Sequence, residues 1–75
     1  MTEDVFESVA GRYERAAGEL ERAAEHLRAT AARFRDRDVP RGCAQALAAQ
    51  GRLRSAQRLL DELAVLHASR AAPDL

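Results

Sequence analysis

The chain has no lysine, no tryptophan and a single cysteine, Cys43. One cysteine excludes an intrachain disulfide. The two histidines, His26 and His67, belong to no Cys/His cluster with the spacing of a structural zinc site. Aromatic residues are scarce: Phe6, Tyr13 and Phe34 are all there are. Charge of neither sign is in excess, since 12 Arg face 12 Asp and Glu. That balance argues against a general nucleic-acid binder, which normally carries a basic surplus. No apolar run approaches the ~20 residues needed to span a bilayer. The acidic start, Met1-Thr2-Glu3-Asp4, is followed by no apolar stretch of a secretion signal. The expected setting is therefore the cytoplasm, away from membranes. An arginine-only, alanine-rich composition points to a GC-rich bacterial genome as the source.

Catalytic signatures are missing too. There is no Gly-rich phosphate loop, no nucleophile elbow and no His-Glu-x-x-His. A di-iron bundle would show Glu-x-x-His on its helices, but the residues three before His26 and His67 are Ala23 and Ala64. No enzyme and no cofactor are expected.

At 75 residues the chain is a small single domain. A chain near this size hides only about 60% of the surface its unfolded form exposes. Without a disulfide or a metal, the remaining staple for so small a core is association with another chain.

What the sequence does contain is heptad order. Phe6, Tyr13, Leu20, Leu27 and Phe34 recur every seven residues, and Ala10, Ala17, Ala24 and Ala31 follow four residues after the first four of them. A second column, Val9, Ala16, Ala23 and Thr30, stands three residues after each. Such periodicity predicts a long helix packed against other helices, over about 3–36. Thr2 is a candidate cap, with Glu3, Asp4 and Glu7 near the positive end of the helix dipole. The small strip of Ala10, Ala17 and Ala24, widened by Gly11 and Gly18, is expected to admit a second helix closely. Simple tolerance of both glycines on a solvent face is the equal alternative.

The polar cluster Arg35-Asp36-Arg37-Asp38 before Val39-Pro40 breaks this pattern. Proline disfavours helical geometry in the residue before it but is accepted in a first helical turn. A turn at about 37–39 and a second helix at about 40–71 are predicted. Ala46, Ala49, Leu53, Ala56, Leu60, Leu63 and His67 form its seam, and 72–75 form a frayed tail around Pro73. A short link between long helices implies an all-α, antiparallel two-helix hairpin. Two rods leave much apolar surface uncovered, so dimerisation into a four-helix bundle is expected.

In size and hairpin shape the chain resembles the secreted WxG-type hairpin proteins, but its turn region reads Val39-Pro40-Arg41-Gly42 and holds no Trp. Nothing of their function is carried over. Rop-like RNA-binding hairpins share the architecture alone.

Charge is segregated. Residues 1–25 hold seven acids and three Arg, residues 26–58 eight Arg and two acids, and residues 59–75 three acids and one Arg. The turn half is basic and the open half acidic, a polarity that suits antiparallel packing of two hairpins. Arg35, Arg37 and Arg41 could alternatively hold an anion at the turn. His67, in the seam column and expected near Phe6 and Ala10, is a weak candidate metal ligand. Cys43, at a helix start beside Arg41, is expected to pack as a small apolar residue rather than to react. Gln50 and Gln57, a heptad apart, flank the second seam.

The reading that follows is a non-enzymatic, oligomeric interaction or assembly module, a homodimer or the companion of a partner protein. Its interface is expected at Phe6, Tyr13, Leu20, Leu27, Phe34, Leu53, Leu60 and Leu63 with Ala10, Ala17 and Ala24. A small regulatory subunit (antitoxin-like or enzyme-associated), an anion or nucleic-acid binder, and a metal-binding bundle are the alternatives.

Overall fold

A computed structural model describes residues 4–71. Those residues form two helices: α1, Val5–Arg35, and α2, Val39–Ala71. They pack against each other along their length as an antiparallel hairpin. Thr2 and the tail at 72–75 lie outside the described residues.

The helix ends are built by side chains at the places helices need them. Asp4, in extended conformation, caps α1: its carboxylate accepts from the backbone N–H of Phe6 at 3.0 Å and of Glu7 at 3.2 Å. Two otherwise orphaned donors are satisfied there. At the other end the N–H of Asp38 reaches back to the Arg33 carbonyl at 2.8 Å, and that of Arg37 to Phe34 at 3.0 Å. This reciprocal pair is a Schellman closure, and it requires a left-handed residue. Arg37 takes that conformation, with φ 61°, where glycine is the usual choice. Asp38 then starts α2, its carboxylate accepting from Arg41 N–H at 3.3 Å. The link is thus Asp36–Asp38, and Val39 is already helical. The expected start at about 40 lies one residue from the observed Val39, and Pro40 sits in the first helical turn, where its ring is tolerated.

The line of contact between the helices is made of small residues. Ala16 and Ala23 of α1 and Ala49, Ala56 and Leu63 of α2 are buried, and Leu63 is the one fully buried large side chain among the described residues. The last three recur every seven residues, and Gly42, buried one heptad earlier, extends them toward the turn. A Cβ on Gly42 would come within 2.6 Å of the Phe34 ring. The ring therefore lies directly on α2 there, and only glycine leaves it room. The column of large residues that the heptads predicted as a seam is not the hairpin's own seam. Tyr13, Leu20, Leu27, Phe34 and Phe6 remain 41–87% exposed.

The pair is one helix thick, 12 Å in its shortest dimension against 56 Å in its longest. With α1 and α2 lying side by side, both broad sides are uncovered among the described residues. No helix is long and apolar enough to cross a membrane among the described residues.

Candidate association surface

The two broad sides of this single layer differ in chemistry, and the heptads show why. A residue four places after a seam position projects to one side, and a residue three places after it projects to the other. In antiparallel helices the two plus-four columns share a side, as do the two plus-three columns.

On the plus-four side the structure joins Tyr13 to His67. Their hydroxyl and Nε2 lie 2.6 Å apart, and the ring planes are within 7° of parallel. Heptad steps from that pair toward the turn bring Leu20 level with Leu60, Leu27 with Leu53 and Phe34 with Ala46. Every rung is apolar or aromatic except His67, whose imidazole meets the Tyr13 hydroxyl. Leu20, Leu27, Phe34 and Leu53 are each more than two-fifths exposed, because the alanine seam beside them is too narrow to bury them.

The plus-three side is polar where it is best ordered by contacts. Arg52 donates to Glu19 at 2.9 Å, and His26 Nδ1 to the Gln45 amide oxygen at 2.6 Å. Those two rungs are also one heptad apart, so hydrogen bonds do on this side what apolar contact does on the other. Only toward the open end does it turn apolar, with Leu59 and Leu66 half-buried.

Other predicted residues fall as follows. Ala10 and Ala17 are exposed and Ala24 half-buried, in the column next to Leu20 and away from the seam. Within the hairpin, close approach runs through Ala16 and Ala23 instead. His67 lies opposite Tyr13, one heptad from the expected Phe6, and is exposed. Cys43 is exposed rather than packed. Gln50 is exposed, and Gln57 bonds Asp61 on its own helix at 2.8 Å. Gly18 is covered by Arg22, which donates to its carbonyl at 3.0 Å, while Gly11 has open space around it. Arg35 and Arg37 are exposed and Arg41 pairs with Asp38 at 3.6 Å. No hydrogen bond or ion pair draws the three arginines together among the described residues. His67 has no set of acidic or sulfur groups around it that could complete a metal site among the described residues.

The surface the structure presents is therefore an apolar strip along one side of a thin hairpin. Comparison with family models, with curated proteins and with solved structures gave no match.

Proposed function

We propose that this chain is a non-enzymatic helical assembly module, and that the occupant of its apolar side is a second copy of itself. The observation that carries this reading is the placement of large and small side chains. Alanine fills the seam, while Tyr13, Leu20, Leu27, Phe34 and Leu53 stand in adjoining columns, exposed to water. The whole chain exposes 5782 Å², where a compact monomer of 8.2 kDa would expose about 4,500 Å². That surplus of about 1,300 Å² fits an open single layer with an uncovered apolar side, and a specific interface usually buries about 800 Å² per partner. Its radius of gyration of 17.3 Å likewise exceeds the ~11 Å of a compact chain of this length. Covering the strip with an identical strip satisfies both molecules at once, through a two-fold axis. It also completes the four-helix layer arrangement in which such helices are stable.

Sedimentation and circular dichroism test this. The unsubstituted chain is expected to sediment as a dimer. Leu20→Asp and Leu60→Asp, at the two ends of one rung of the strip, should each abolish the dimer and most of the helicity. Val65→Asp, at a position already 72% exposed away from the strip, should leave both intact. A stable helical monomer at micromolar concentration, indifferent to Leu20→Asp and Leu60→Asp, overturns the reading.

A further inference from the structure

The apolar strip is bordered on α1 by two more columns. Next to the Tyr13–Leu20–Leu27 column comes Ala10, Ala17, Ala24 and Ala31, and beyond it comes Glu7, Glu14, Glu21, Arg28 and Arg35. The outermost column reverses sign once, between positions 21 and 28, and all five of its residues are exposed. None of the five has an ion-pair partner within the hairpin among the described residues. Arg54 and Asp61 repeat the reversal in the corresponding column of α2.

Accepting that the strip binds a second copy, we propose that this copy lies flipped end over end, so that α1 packs on α1 and α2 on α2, with the two turns at opposite ends. Two packings keep the same apolar side inward with two-fold symmetry. In the first, the axis runs along the helices, both turns lie at one end, and α1 covers the α2 of the other copy. In the second, the axis crosses the helices between the Leu20 and Leu27 rungs, and each helix covers its own counterpart.

Three features select the second. The first is charge. Turns at one end would place the two basic segments, eight Arg and two acids each over residues 26–58, side by side. Flipping instead sets Glu14 and Glu21 beside the second copy's Arg35 and Arg28, and Arg54 beside its Asp61. Charges flanking a helical seam are what fix orientation in such assemblies.

The second feature is register. The flip brings Leu20 level with the second copy's Leu27, and Tyr13 level with its Phe34. Every large residue from 13 to 34 then meets another large residue, with no rung displaced. The third feature is the alanine column. In the flipped packing it points straight at its own counterpart on the other α1, so the backbones can approach closely where Ala10, Ala17, Ala24 and Ala31 offer no bulk. In the other packing it would face the longer Gln50 and Gln57 of α2, whereas the flip sets the Gln57 amide against its own counterpart, where donor and acceptor can pair.

The experiment uses thiol placement in the 75-residue chain. With Cys43→Ser as background, Ala24→Cys and Gln57→Cys each put one thiol beside the proposed axis, on α1 and α2 respectively. Under mild oxidation or with a short thiol cross-linker, each protein alone should couple to itself. A mixture of the two should yield no mixed product. Arg58→Cys, pointing away from the strip, measures chance collision and should couple little. If instead neither couples alone and the mixture gives only the mixed product, α1 lies on α2 and the flipped arrangement is overturned while the dimer stands. If sedimentation of the same proteins shows monomers, the association itself fails. As a second readout, the pair Glu14→Arg and Glu21→Arg should weaken the dimer several-fold at low salt, and adding Arg28→Glu and Arg35→Glu should restore it. Weakening that the second pair deepens overturns the pairing.

Discussion

The two broad sides of the hairpin solve the same geometric problem with different chemistry. Both are ladders of facing residues repeated every seven positions across one alanine seam. On one, Glu19 meets Arg52 and His26 meets Gln45, at 2.9 and 2.6 Å. Each polar group finds its partner inside the molecule, and water can cover the rest without cost. On the other, Leu20 stands level with Leu60 and Leu27 with Leu53, and over two-fifths of Leu20, Leu27 and Leu53 stays in water. A polar rung can be complete within one chain. An apolar rung beside so thin a seam cannot, because its stabilisation grows with area removed from water and one layer removes only part of it. The difference separates a side whose polar groups are satisfied within the hairpin from one that leaves large apolar side chains in water.

Substitutions can break or sharpen that contrast. The largest effect is expected in the seam that serves both sides. Leu63→Ala empties the site of the one fully buried large side chain among the described residues and should cost about 2–5 kcal/mol in urea unfolding. The two ladders should be lost together; survival of either would mean that they fold independently. Next comes the turn end of the apolar side. Gly42→Ala forces a methyl to within 2.6 Å of the Phe34 ring and should destabilise by about 1–3 kcal/mol. Gly51→Ala, with nothing within 4 Å, should instead raise thermal stability by about 1 kcal/mol through helix propensity alone. The smallest effect belongs to the polar side. The Arg52 side chain is 42% exposed and that of Glu19 17%, so screening discounts their attraction. Arg52→Ala should cost no more than about 1 kcal/mol, and less at high salt. A loss well above that would show the polar ladder to be a principal support of the fold.

Much of the fold could be read from the residues alone. The heptads, the polar break before Pro40 and the short link lead directly to two long antiparallel helices. The choice of inward column was not legible. On α1 a large column and a small column lie side by side, and either can face α2. Hydrophobicity ranks Leu20 above Ala16, but the small column lets the backbones close, and that preference exists only once both helices are present. Register was equally hidden. A pattern that repeats every seven residues looks the same after a slip of one heptad, which is why His67 was expected near Phe6 and lies against Tyr13. The left-handed Arg37 sets the true alignment, and nothing in an arginine announces that conformation. Polar pairs such as Glu19–Arg52 depend on the same alignment and were invisible for the same reason.

Phe34 resting on Gly42 has a kinetic consequence. Those residues are eight apart in the chain, whereas Tyr13 and His67 are separated by 54. Closing the longer loop first would cost about 1.7 kcal/mol more entropy than closing the shorter one. The hairpin should therefore zip from the ring outward, each rung shortening the loop left for the next, and the open ends should be last to join and first to part.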